Sequence, residues 1–375
     1  MKKIKILHVL TVFNTGGLET MIMNYWREID REKFQFDFLL QREDGYYEKE
    51  AEDLGGKIFR ISKLSYSPLD FVKYLMGINH FFKNHQYDIV HVHTNSFGYF
   101  PLYFAKKYKI PVRIIHCHIS GLDDDKAKLF VGKILNNQFP KVANQFFACG
   151  QEAGEWMFKS QNFVILPNAI LAKNFSFNIA IRKPIQQELQ SKNQLNIINI
   201  GRFNPQKNHH FILEIFSEVI KINPNVHLYL VGDGELKQEI EHKINSLQLN
   251  SHVTLLGVRA DVNEILQAMD VFLFPSLFEG LPVSMIEAQA AGLRCVISDG
   301  VPDEAILIPD NVKKIELKKS AKYWAKEILD FSAYERKDTY EIIKNKGYDI
   351  VENAKRLELK YQELLENARR SASLK

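Results

Sequence analysis

At 375 residues the chain is longer than one ordinary hydrophobic core supports, and two domains are expected. Hydrophobic residues at 46% and charged residues at 25%, with only 19 Gly and 12 Pro, exclude long disordered or fibrous segments and describe a folded globular protein. Lys and Arg number 49 against 45 Asp and Glu; the resulting +4, carried by residues 1–170, is too small for the basic stripe of a nucleic-acid binder.

The opening MKKIKILHVLTVFNTGG has the basic start and apolar run of a signal peptide, but His8 and Thr11 interrupt it and no small-residue cleavage site follows, so it reads as a first strand. Further apolar runs follow in order: FQFDFLL, YDIVHVH, PVRIIHCH, FFACG and FVILPN. Between them Gly17–Ile29, Leu69–Asn84 and Tyr99–Tyr108 have helical periodicity. Strands this continuously apolar are buried on both faces, which predicts a parallel sheet. A polar stretch between about Ala169 and Gln194 reads as a linker, after which the rhythm restarts with LNIINIGRF, VHLYLVGDG, HVTLLG, VFLFPS, RCVIS and KKIEL. The expectation is an α/β protein of two doubly wound parallel-sheet domains, residues 1–170 and 171–340. Residues 341–375 are predicted helical, either capping the second domain or running back across the first. Cys117, Cys149 and Cys295 lie far apart without any CxxC spacing, so neither a zinc site nor a disulfide framework is expected, and a reducing cytoplasm fits. No apolar segment approaches the roughly 18–20 residues of a membrane span.

Open parallel sheets bind ligands beyond the carboxyl ends of their strands. In the second half those positions hold charged and glycine-rich motifs. NIGRFNPQKN places Arg202 and Lys207 in a loop that opens a helix, and LVGDGEL brings Gly232 and Gly234, which permit close backbone approach. In FPSLFEGLPVSMIEAQAAGL, Pro282 suits a helix start and Gly292 a helix end. Val283, Ile286 and Ala290 face the sheet, Glu279 lies in the loop ahead of the helix, and Glu287 lies in its second turn. A nucleotide sugar has matching parts. Its diphosphate needs cations and N–H donors, supplied by Arg202, Lys207 and the amides after Glu279. Its ribose diol needs an acceptor pair such as Glu287, which leaves Glu279 for the sugar hydroxyls.

GRFNPQKN, LVGDGEL and FPSLFEGLPVSMIEAQAAG resemble the retaining glycosyltransferases of family 4, as do NTGGLETMI, YDIVHVHTNS, PVRIIHCHIS, FFACGQEAGEWMF and VILPNAI, so the likeness spans nearly the whole chain. The secondary stretches are most similar to the branch that builds bacterial capsular and exopolysaccharides. The resemblance implies the GT-B fold, two Rossmann-like domains facing across a cleft. It implies that Arg202 and Lys207 hold the diphosphate of a UDP-sugar, that Glu287 binds the ribose, and that Glu279 lies near the transferred sugar with the Gly280 and Leu281 amides. Gly232, Pro282 and Val283 complete the donor set. From the first domain, Gly16 and Gly17 would close on the phosphates and His118 would sit beside the reacting sugar. HCH offers His116 on the same strand face, and the sequence does not choose between them. The implied acceptor is a saccharide, lipid-linked in this branch, at the inner face of the cell membrane. KAKLFVGKILNNQF, basic and apolar together, is a candidate for peripheral contact there or an ordinary packed helix.

Retention would proceed on one face, with the leaving phosphate taking the acceptor's proton, or through a double displacement at Glu279. Asp123–Asp125 are similar to the metal-binding aspartates of the other glycosyltransferase fold, yet they read as a solvated loop; no metal and no cofactor is expected. Simpler roles exist for each motif: Gly16 and Gly17 as a tight turn, His91 and His93 as structural residues, Arg202 and Lys207 as solvated charges. Asp37 lies about 20 residues past the glycines, as in a dinucleotide reader, but Gly-x-Gly-x-x-Gly is broken and a dehydrogenase is excluded. The competing functions are a UDP-sugar epimerase on the same scaffold and a noncatalytic subunit that keeps the fold.

Overall fold

The computed structural model describes residues 3–14, 16–43, 45–65, 67–118, 126–159 and 161–373. It divides into two units, residues 1–168 with 350–375, and residues 169–349.

The first unit holds seven strands: β1 (Ile4–Val9), β2 (Phe34–Leu40), β3 (Lys57–Arg60), β4 (Ile89–Val92), β5 (Val112–Cys117), β6 (Gln145–Ala148) and β7 (Val164–Ile165). They pair in parallel in the order β3-β2-β1-β4-β5-β6-β7. Apolar runs form the inner strands, where both faces are covered, while FVILPN supplies the edge strand β7; β2 buries six of its seven residues and β1 its last four. β3 carries no apolar run that would announce it. KIFR is an edge strand with charged ends, and edge strands need not be apolar on both faces. The helix Gly17–Glu28 buries Met21, Ile22, Met23, Tyr25 and Trp26, with Trp26 stacked on Phe36 at 4.9 Å. The last helix, Ile350–Ser373, belongs to this unit: the Asp30 amide donates to Glu358 at 2.7 Å, and the Tyr361 hydroxyl lies 2.8 Å from His91 Nδ1.

The second unit holds β8 (Leu195–Ile200), β9 (Val226–Val231), β10 (Val253–Gly257), β11 (Val271–Phe274), β12 (Arg294–Ser298) and β13 (Val312–Ile315). They are parallel in the order β10-β9-β8-β11-β12-β13. Its core joins Phe203, Ile212, Leu213, Phe216, Leu230 and Trp324. The stretch read as a linker is built into this unit as the helices Ala172–Phe175 and Ile179–Glu188. Gln267 donates to the Phe175 carbonyl and accepts from the Asn178 amide, and Arg182 pairs with Asp270 at 2.6 Å. The polar surface of these helices and Pro184 inside the second hid them from a periodicity reading.

Each sheet reverses its winding direction once, between β1 and β4 in the first unit and between β8 and β11 in the second. At such a switch point two loops leave adjacent strands in opposite directions and open a crevice at their carboxyl ends. Among the described residues no helix is long and apolar enough to cross a membrane. Asp123–Asp125, and the side chains of Lys126, Lys128, Leu129 and Phe130, lie outside the described residues. Farther along the same helix Val131, Lys133 and Ile134 are exposed.

Candidate functional site

The loops after β8 and β11 meet because those strands are neighbours. After β8 the chain passes Gly201, where a Cβ would press on the Lys207 stem at 3.1 Å. It then forms the short 3-10 turn Pro205–Lys207, whose start is capped by the Asn204 side chain accepting from the Lys207 amide at 3.2 Å. Asn208 takes the left-handed conformation (φ 58°), which Asn tolerates better than most residues, and swings the chain into the helix His209–Ile222. Its side-chain amide donates to the Pro275 carbonyl at 3.0 Å, and the Leu277 amide donates to the Gln206 carbonyl at 2.8 Å. The two loops are therefore fastened before any charged side chain is considered.

Within this frame the Lys207 ammonium lies 2.6 Å from Glu279 Oε1 and 4.6 Å from the centre of the Phe274 ring. The pair is largely withdrawn from water, at 14% and 6% side-chain exposure. Gln206 donates to the other carboxylate oxygen at 3.3 Å and to the Phe278 carbonyl at 2.9 Å. The Glu279 amide is taken up by the Gly300 carbonyl at 2.9 Å. Gly280 follows, then Leu281, which is buried, and Pro282, which caps the helix Val283–Ala290, whose first residue Val283 is buried too. Glu287 is half-buried on that helix, and no side chain among the described residues pairs with it. Loss of water pushes its carboxyl up to about 7.

Gly232 and Gly234 close the loop after β9 onto the one after β8. Gly232 has φ 139°, and a Cβ there would stand 2.1 Å from the Gly201 carbonyl oxygen; a Cβ at Gly234 would stand 2.5 Å from that of Phe203. Arg202 leaves the same loop for solvent, 69% exposed, with Glu235 at 3.3 Å. The structure thus brings Lys207 and Glu279 into contact and turns Arg202 toward Glu235. Sequence reading placed the helix start at about Asn208 but missed Asn204 and Gln206; Asn-Pro ahead of a helix was the signal that could have found the turn. A surface depression of about 620 Å³ near the start of β8, lined by Lys183, Lys192, Asn223 and Asn225 among others, contains none of the motif residues.

In the first unit Gly16 precedes the helix Gly17–Glu28, and its carbonyl accepts the first helical hydrogen bond, from Thr20, at 2.9 Å. His116 is fully buried in β5, with Nδ1 3.1 Å from His91 Nε2. His118 lies just past the strand and is half-buried, 2.9 Å from His93. Burial lowers the His118 pKa to about 3, so its ring is neutral near neutral pH. Of the two histidines in HCH, only His118 retains exposed surface.

The family described as Glycosyl transferases group 1 matches residues 181–350, and that described as Glycosyltransferase Family 4 matches residues 15–170. A protein of Bacillus subtilis (strain 168) named as a glycosyltransferase, EpsF, is 34% identical over 370 residues, 93% of this chain and 94% of that one. The UDP-Gal:alpha-D-GlcNAc-diphosphoundecaprenol alpha-1,3-galactosyltransferase of Escherichia coli is 28% identical over 79% of this chain and 80% of its own. Among solved structures, HepE of Anabaena in complex with UDP superposes with a TM-score of 0.75 at 16% identity, covering 96% of this chain and all of that one, a likeness of fold. With its two switch-point sheets and a relative this similar over nearly its full length, the chain belongs to the family 4 glycosyltransferases of the GT-B fold.

Proposed function

We propose that this glycosyltransferase moves a hexose or N-acetylhexosamine, with retention, from a UDP-sugar to a lipid-linked saccharide in capsule or exopolysaccharide assembly. The observation that carries the reading is the withdrawn Lys207–Glu279 pair just ahead of the helix Val283–Ala290. A fixed cation beside a helix N-terminus suits a diphosphate whose negative charge grows as the sugar leaves, so its attraction is greater in the transition state than in the ground state. Arg202, free to swing from an exposed contact, is the second cation. Glu287 accepts from the ribose hydroxyls. Glu279 orients Lys207 and faces the sugar hydroxyls, while Gly232, Gly280, Leu281, Pro282 and Val283 line the donor. His118 is assigned to the reacting sugar, and Gly16 and Gly17 to the phosphates.

Both Glu279 oxygens are engaged, by Lys207 and Gln206, which argues against Glu279 as a nucleophile and favours same-face transfer with the leaving phosphate as proton acceptor. Two protein cations make a divalent metal on the donor unnecessary. The name of the Escherichia coli relative supports a UDP-sugar donor and a diphosphate-lipid acceptor. Exposed Val131 and Ile134 beside Lys133, and exposed Leu69, Val72 and Met76 at one helical spacing, support contact with a membrane surface.

The test is a panel of UDP-, GDP- and ADP-sugars with diphosphate-lipid and free saccharide acceptors. UDP release that depends on a lipid-linked acceptor is expected, and UDP at about a hundred times its Kd should stabilise the fold by about 2.7 kcal/mol. Conversion of donor to its epimer without acceptor would make the protein an isomerase instead. No turnover and no stabilisation with any nucleotide would leave a noncatalytic subunit.

A further inference from the structure

The depression near the start of β8 lies wholly in the second unit, at the amino ends of its strands, and contains none of the residues assigned to the donor. Leu195, the first residue of β8, lines it, whereas Gly201 and Lys207 follow the other end of that strand. Six residues of extended chain, roughly 20 Å, therefore separate the two places. Its volume is about 620 Å³, and nine of its ten lining residues are charged or carry a side-chain amide. Arg182 and Asp270 neutralise each other at 2.6 Å; Arg182 also donates to the Gln267 and Met269 carbonyls at 2.9 Å, and Asp270 accepts from the Asn196 amide at 2.9 Å. Lys183 and Lys192 are exposed and have no carboxylate partner among the described residues, which leaves two positive charges unbalanced. The amide side chains are fastened locally: Asn223 Oδ1 accepts from the Asn225 amide at 3.0 Å, Asn225 Nδ2 donates to the Asn193 carbonyl, and Gln194 donates to Asn196 at 3.2 Å. Those bonds leave Asn223 Nδ2, Asn225 Oδ1 and the whole Asn193 side chain unspent, donors and acceptors side by side. Gln190 and Asn193, at φ 49° and 60°, hold left-handed backbone on either side of Lys192, a conformation that persists where its surroundings over-determine it, as at ligand clamps.

We propose that this depression binds an acidic oligosaccharide, one bearing carboxylates, and is a second saccharide site remote from the transfer chemistry. Side-chain amides offer a donor and an acceptor together, which matches neighbouring sugar hydroxyls, and the two ammonium groups match the carboxylates of such a chain. The volume falls within the roughly 300–1,000 Å³ of ligand pockets, so it holds far more than an inorganic anion. Leu195 is the one apolar residue of the lining and no aromatic ring joins it, which disfavours a nucleobase or an acyl chain. Lys192, Asn193 and Asn225 are exposed, so a saccharide longer than the depression can run past its edges. Binding there draws on the second unit alone and is independent of the donor sugar.

The experiment is calorimetric titration of the full chain with a hexasaccharide of alternating glucuronate and N-acetylglucosamine, with maltohexaose and inorganic phosphate in parallel, each with and without excess UDP. The acidic hexasaccharide is expected to bind at one site per chain, equally with and without UDP, and more weakly as salt is raised. Lys183→Gln combined with Lys192→Gln should weaken it about tenfold, the effect of losing two exposed charge pairs. Both side chains are exposed, so the urea midpoint of the double variant should stay unchanged. The salt dependence of the unaltered chain reads the same two charges without any substitution. No binding of the hexasaccharide, equal binding of maltohexaose, a match by inorganic phosphate alone, displacement by UDP, or unchanged affinity in the double variant would each overturn the site.

Discussion

Replacing Glu287 by Gln should make the protein more stable and a poorer binder of its donor. The carboxyl sits at about 7 in the folded chain against an ordinary 4.5, because burial removes water and no cation replaces it. Between those values the folded chain holds a proton the unfolded chain has released. Stability from this group is therefore present below about pH 4.5 and lost as pH rises to about 7. The difference between the two values sets a ceiling of about 3 kcal/mol on the loss. Solvent at the half-exposed edge of Glu287 lowers the measurable part to about 1–2 kcal/mol. Gln has the same shape and no proton to lose. Urea melts at about pH 8 should show Glu287→Gln more stable by that amount, shrinking to about a quarter of it at about pH 5. At about pH 8 the same variant should bind UDP about ten- to a hundredfold more weakly, as expected for losing a charged acceptor of the ribose hydroxyls. Wild-type affinity for UDP should rise as pH increases through about 7. A stability difference that is the same at both pH values would refute the desolvation argument. Unchanged UDP affinity would remove Glu287 from the donor site.

Lys207→Ala leaves a carboxylate of 6% exposure without its cation; denaturant melts should show a loss of about 3–5 kcal/mol and assays a fall in turnover of about a hundredfold or more. Arg202→Ala, at a side chain 69% exposed, should cost less than about 0.5 kcal/mol of stability yet lower turnover about a hundredfold, and retained turnover would exclude it from the mechanism. Gly232→Ala sets a Cβ 2.1 Å from the Gly201 carbonyl oxygen at φ 139°, so the urea midpoint should fall by the equivalent of about 2 kcal/mol or more. Transfer should continue in EDTA; activity abolished by the chelator and restored by magnesium or manganese would place a cation on the donor diphosphate.

Much of the architecture was legible in the chain because burial on both faces writes itself locally, as unbroken apolar runs separated by helical periodicity. The motifs NPQKN and FEGLP were legible for a similar reason, since turns, helix starts and close backbone approach each demand particular residues at one place. β3 was not, because an edge strand of four residues with charged ends imposes no such pattern. Nor could the chain alone say which unit the last helix would join, or which histidine of HCH keeps contact with solvent. Strand order decided the rest. β11 lies beside β8 although it comes third after it in the chain, and only that pairing sets Lys207 and Glu279, 72 residues apart, at 2.6 Å. Periodicity records how each segment meets its surroundings, whereas the choice of neighbour is a free-energy difference among whole arrangements of the sheet. Lys207 therefore gains its counter-charge, and the histidines one another, only once the strands have been ordered.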